Sequence, residues 1–271
     1  MRLALIPALI LGLSAGVYAF QREFREYPAE EYNNFPLPSD YKVPADFVWA
    51  RLMYPSNGLD GRARRQDWRQ GRTGWTNDYP RAERHLTLAI RRLTRVDVRS
   101  VEQPVNPDDE DDLFNWPFLY IGRAGFAGFH PEQIVRIREF LDRGGFLICD
   151  DVWGEREWLP LQATLQGLYP DREAEELENR HEIFHSVYNL DDRYRIPGQW
   201  SLYSGVPYLN GGIDPHWKGV RDPKGRVSIS VWINSDTGDS WEWADAPEYP
   251  ERYSALGIRL AVNNLVYAMT H

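Results

Sequence analysis

The chain has 271 residues and a formal net charge of −9 at pH 7; 42% of its residues are hydrophobic and 26% charged. This is a globular composition with enough apolar material for a sizeable core. Its acidity argues against general nucleic-acid binding, which depends on Lys and Arg neutralising phosphates. The single cysteine, Cys149, rules out an internal disulfide. Set in the apolar run GGFLICDD, with no histidine close by in sequence, it is expected to be a buried, inert thiol. The 11 Trp and 15 Tyr are expected mainly in the core, since many sit inside apolar runs.

Met1 and Arg2 precede the apolar stretch LALIPALILGLSAGVYAF, which reads as a secretory signal cleaved after Ala19. Leu3 to Phe20 also approaches the minimum span of a bilayer, about 17 residues, so an uncleaved membrane anchor is the alternative. Either reading places the remainder outside the cytoplasm, in the periplasm or cell envelope. Residues 20–45, broken by Pro28, Pro36, Pro38 and Pro44, read as a linker or an extended arm. Residues 46–271 then form a single domain.

Phe47 to Tyr54 reads as a first strand, followed by a loop rich in Arg, Gly and Trp from Pro55 to Asn77. Tyr79-Pro80 opens an amphipathic helix to Leu93, with Leu86, Ile90 and Leu93 at helical spacing. Val96 to Val101 alternates Val with charged residues, as an edge strand does. Asp108 to Asp112 is expected to be a solvated turn, since it lacks the glycine and terminal glutamate of a calcium loop. Phe118 to Gly122 is a third strand. The helix from Pro131 to Arg143 ends at Gly144-Gly145, a left-handed stop. Phe146 to Cys149, short and wholly apolar, suits a central parallel strand covered on both faces. A helix follows from Arg156 to Leu168. His181 to Leu190 and Arg226 to Ile233 look like strands, and Tyr253 to Met269 is a closing helix. This alternation predicts an α/β fold with a mostly parallel sheet and helices on both faces.

Ligands of such sheets bind beyond the carboxyl ends of the strands, and that rule selects the candidate residues. Beyond the first strand lie Arg62, Arg64, Arg65, Arg69, Arg72, Trp75 and Asp78, where guanidinium forks suit carboxylates or phosphates. Gly122, Arg123, Ala124 and Gly125 follow the third strand. Asp150, Asp151 and Trp153 follow the fourth. Adjacent aspartates at a strand end point to opposite faces and are expected to do different work: capping a turn, pairing with arginine, holding a ligand or serving as a base. His181 and His185 match HExxH by letter, but the segment reads as a loop entering a strand and offers no third ligand, so no metal is assigned. Asp236, Asp239, Trp241, Glu242 and Trp243 form a polar–aromatic cluster expected to be a packed turn rather than a carbohydrate-stacking surface. Neither a GxSxG elbow nor a phosphate-binding glycine loop is present.

The segments WTNDYP (75–80), PFLYIG (117–122), RGGFLICDDVWG (143–154), HEIFHSVY (181–188), SWEW (240–243) and VYAMTH (266–271) together resemble the bacterial domain of unknown function 4159 family. The resemblance spans about residues 46–271. It implies a flavodoxin-like sheet of the kind found in class I glutamine amidotransferases and ThuA-like proteins, and it brings no established activity. Amidotransferases carry a nucleophilic cysteine on a sharp turn after a central strand; here Arg123 and Ala124 follow FLYIG, and Cys149 lies inside a strand. The expectation is therefore an exported envelope domain that binds a carbohydrate or anionic component through Asp78, Arg123, Trp75, Arg72 and Trp153. Two alternatives accompany it: a hydrolase, metal-assisted or not, using Asp150, Asp151 and His181, and a structural partner in an envelope complex. No cofactor is identified.

Overall fold

A computed structural model describes residues 23–59, 61, 66–109 and 112–271. The leader and Arg62, Arg64 and Arg65 lie outside the described residues, as do Glu110 and Asp111 of the acidic run. Among the described residues, no helix is long and apolar enough to cross a membrane.

Seven strands form one sheet: β1 (Ala50–Leu52), β2 (Gln103–Val105), β3 (Phe118–Ile121), β4 (Phe146–Val152), β5 (Glu175–Glu176), β6 (His216–Arg221) and β7 (Val227–Ile233). Their order is β2-β1-β3-β4-β7-β6-β5. The first five in that order run parallel; β6 and β5 add an antiparallel edge. Among the described residues the α-helices are α1 (Arg81–Leu93), α2 (Pro131–Asp142), α3 (Gly154–Leu168), α4 (Ser201–Ser204), α5 (Thr237–Glu242) and α6 (Glu251–Thr270).

The central strands are buried on both faces, which is why β3 and the first four residues of β4 read as unbroken apolar runs. On one face Leu119, Ile121, Leu147 and Cys149 pack against Ile137 and Phe140 of α2 and Leu161 and Leu165 of α3. On the other, Trp49, Phe118, Tyr120, Phe146 and Ile148 meet Leu86 and Ile90 of α1, Trp241 of α5, and Leu260 and Leu265 of α6. Cys149 is buried, and burial holds its thiol far above the usual range, which fits an inert thiol.

Two expected strands are corrected. Val96–Val101 is not a strand; Val98 makes one isolated bridge to Phe47. Arg99 turns its guanidinium back onto the carbonyls of Val101 and Glu102, which bends the chain, and pairing resumes only at Gln103. His181–Leu190 is not a strand either. The His181 ring accepts from Ile183 N at 3.3 Å and heads a 3-10 turn, Glu182–Phe184. Such local side-chain caps compete with ladder bonds. The strand that pairs with β7 is instead His216–Arg221. The fourth strand also runs further than Cys149, to Val152, so the paired aspartates lie within it.

Ile148 sits in the middle of β4, wholly buried between β3 and β7. The variant Ile148→Ala should lower the unfolding free energy by about 2–5 kcal/mol through lost burial and the residual cavity. Urea unfolding of the two proteins measures this.

Candidate functional site

The carboxyl rim of the sheet gathers an unusual set of backbones. Asp78 ahead of α1, Arg123 after β3, Asp151 near the end of β4 and Asn234 after β7 all have positive φ, between 49° and 62°. Asp and Asn tolerate the left-handed region through local hydrogen bonds; Arg does so at a cost of about 1 kcal/mol or more. Asp151 takes this conformation where the β4–β7 register shifts, between Cys149 and Val152.

Asp150 is the structural member of the pair. Its Oδ2 accepts from the Tyr120 hydroxyl and from Gly238 N, both at 2.8 Å, and its Oδ1 accepts from Thr237 N at 3.3 Å. Burial still pushes its pKa up to about 6 against these bonds. Asp151 makes a different contact, from a left-handed backbone at the register shift. Its Oδ1 accepts from Trp153 Nε1 at 2.6 Å. Burial, reinforced by Glu157, holds its pKa well above the usual carboxylate range, while Arg123 opposes the shift.

Asp78 is presented by a loop that Arg51 fixes. The Arg51 guanidinium, wholly buried and paired with Glu83, donates from Nη1 to the carbonyls of Trp75 at 2.8 Å and Asn77 at 3.0 Å. The Asp78 carboxyl accepts from the Asn77 side chain through Oδ1 and has no partner at Oδ2. Oδ2 lies against α5 at Gly238, where an added Cβ would come within 2.4 Å of it. Only glycine permits that approach.

Helix α5 contributes three further carboxylates. Asp236 caps it, accepting from Asp239 N at 3.0 Å. Asp239 accepts from Gln199 N at 2.5 Å. Glu242 accepts from the Tyr32 hydroxyl at 2.5 Å. Burial raises all three pKa values, that of Glu242 to about 10. One oxygen each of Asp78, Asp236 and Asp239 lie within 4.8 Å of one another, and so do one each of Glu31, Asp78 and Glu242. The donor chemistry is all carboxylate.

The segment before the domain is strapped across this rim. Tyr27 N donates to the Tyr79 hydroxyl at 3.1 Å, Pro28 O accepts from Arg72 N at 2.8 Å, and Glu30 lies 4.0 Å from Arg123. Arg81 donates to the Tyr32 hydroxyl at 3.1 Å.

Asp78, Arg123, Asp150 and Asp151 thus meet at one rim, and the other expected site residues take different places. Trp75 is wholly buried, with its indole N–H on the Trp68 carbonyl. Trp153 is buried behind Asp151 and edge-on to Trp200. Arg72 is exposed and bonds Asn33 of the arm, and Arg69 pairs with Asp108. His181 lies at the opposite end of the sheet. Its ring is 5.8 Å from that of Tyr267, whose hydroxyl accepts from Val227, the first residue of β7. The structure therefore does not bring His181 together with the aspartates. Asp236, Asp239 and Glu242, expected to form only a packed turn, are the acidic wall instead. The signal for them was the D-x-x-D spacing at the end of an apolar strand, a helix-capping pattern that delivers carboxylates to a strand end.

The family model for Domain of unknown function (DUF4159) matches residues 67–269. The chain belongs to this family. The DUF4159 match takes in every aspartate of the rim, whereas Arg51, Glu31 and Tyr32 stand before it. No curated protein matches the chain.

The buried carboxyls make stability depend on pH in a definite sense. Burial raises Glu102 and Glu157 from 4.5 to about 7. A carboxyl whose folded pKa exceeds its unfolded one binds more protons in the native state, so its contribution is present below pH 4.5 and lost as pH rises through 7. In chelator-treated buffer the melting temperature should fall by several degrees between about pH 5 and 8. Calorimetry across that range checks it.

Proposed function

We propose that this DUF4159 chain is an exported ligand-binding domain of the cell envelope, with its recognition site at the carboxyl rim under the arm. The observation that carries the reading is the convergence of left-handed Asp78, Arg123, Asp151 and Asn234 on that rim. Non-glycine residues are held in such backbones mainly where the surrounding fold presents them for a task.

A flavodoxin-like scaffold of the amidotransferase and ThuA-like kind is part of this reading, and the strand order supports it. The parallel part of the sheet, in the order β2-β1-β3-β4-β7, follows the doubly wound pattern whose switch point lies between the first and third strands. The sharp turn after β3 carries Arg123, with φ 49°. Its guanidinium lies 4.1 Å from the centre of the Phe126 ring. A cation there binds and orients; it cannot act as the amidotransferase thiol would.

Of the expected ligand classes, a neutral polyhydroxyl compound fits better than an anion. Carboxylates accept hydrogen bonds from sugar hydroxyls, and they repel phosphates and uronates. The arginines that would have received an anion are otherwise engaged among the described residues: Arg69 on Asp108, Arg72 on Asn33. The hydrolase reading loses His181 by position and Asp150 by engagement of both its oxygens.

A thermal-shift panel of neutral saccharides and of anions tests the reading, because any ligand selective for the native state raises the melting temperature. At least one neutral saccharide should shift it, anions should not, and Asp78→Ala should abolish the shift. A flat response to every neutral saccharide removes the proposal.

A further inference from the structure

The acidic wall poses an electrostatic problem that hydrogen bonding solves only in part. Asp150 is engaged through both oxygens by Tyr120 and the backbone of α5, and Asp151 by Trp153. Asp236 and Asp239 each have one oxygen held by a backbone amide. Asp78 is different: it is 1% exposed, and its Oδ2 is buried with no donor, facing the turn of α5 that carries Asp236 and Asp239. A buried carboxylate oxygen without a partner costs far more than a bonded one.

None of Asp78, Asp236 or Asp239 makes an ion pair with a described Lys, Arg or His. The nearby arginines make their ion pairs elsewhere: Arg51 with Glu83, Arg81 with Asp245 and Arg123 with Glu30. A bound cation would offset the charge of this cluster directly.

We propose that Asp78, Asp236 and Asp239 form a binding site for a divalent cation of the hard, oxygen-seeking class, with calcium the best fit. Three features select that class. The donors are all carboxylate oxygens, the set preferred by calcium, magnesium and manganese over zinc or copper. The three oxygens lie within 4.8 Å of one another. Calcium takes several carboxylates in a flexible arrangement at about 2.3–2.6 Å, whereas magnesium demands near-ideal octahedral geometry at about 2.0–2.1 Å and is usually held by one or two carboxylates plus waters. Gly238 then has a reason to be glycine, since a methyl group there would displace the Asp78 oxygen. Glu242 and Glu31, which also group with Asp78, put two more carboxylates near the ion, one of them on the arm. The cation would fasten arm, β1–α1 loop and α5 together.

The inference goes beyond saccharide binding and stands without it, since a crevice that takes no sugar can still hold an ion. The test uses the purified full chain, stripped with chelator and titrated with calcium, magnesium or manganese chloride by calorimetry and thermal melting. One calcium per chain should bind, raise the melting temperature, and bind more tightly than magnesium. Asp78→Asn and Asp236→Asn should each weaken calcium at least tenfold, while the exposed Asp171→Asn leaves it unchanged. In chelator both site variants should melt at or above the unsubstituted protein, because a repulsive charge is gone; in calcium they should melt below it. Where a variant fails to fold, terbium luminescence excited through Trp and Tyr of the unsubstituted protein, displaced by calcium, reads the same site. No binding of any of the three ions at millimolar concentration overturns the proposal, as does calcium binding that Asp78→Asn and Asp236→Asn leave intact. Calcium binding without a saccharide shift, or the reverse, separates this inference from the proposed function.

Discussion

Asp150 sits where two strands and a helix must be brought to one point, and its carboxylate does the joining. Tyr120 from β3 and the first amides of α5 all donate to it inside a wholly buried pocket. The helix it receives is only six residues long and follows β7 after a three-residue turn. A segment that short has little helical stability of its own. Its place is set by the carboxylate it caps against and by Trp241, which packs edge-on against Trp49 and Trp232. Because α5 is pinned this way, Asp236, Asp239 and Glu242 face Asp78, and the acidic wall exists.

The same arrangement is electrostatically tense. Carboxylates are crowded into a dry rim, and burial pushes Asp150, Asp151 and Glu242 all in the same direction, towards the protonated form. Protons, a cation or hydroxyl-bearing ligands each relieve that tension by a different route. The arm across the rim adds Glu31 and the Tyr32 hydroxyl to the same set. The acidic wall and the arm are therefore linked by shared residues, with Glu242 bonded to the arm and adjacent to Asp78.

Much of the frame was legible in order along the chain. The apolar runs of β3 and β4, the helix opened by Pro131 and stopped at Gly144, and the long closing helix all have periods or caps that local physics fixes. The failures have local causes as well. Val96 to Val101 alternates like a strand, yet Arg99 folds back on its own carbonyls. His181 to Leu190 carries strand-like residues, yet a histidine ring caps a tight turn. His216 to Arg221, with few apolar side chains, becomes a strand because β7 offers it a free edge.

By itself, the sequence determined that the apolar run leading into Asp150 and Asp151 is a central strand, because burial on both faces demands such a run. It also identified the family through segments spread along the whole domain. Tertiary structure alone decided which carboxylates meet. Asp78 and Asp239 are far apart in the chain, and no local pattern encodes an oxygen of one lying against the helix that bears the other. That contact depends on the sheet order, on a glycine that lets the loop approach, and on a buried arginine holding the loop in place.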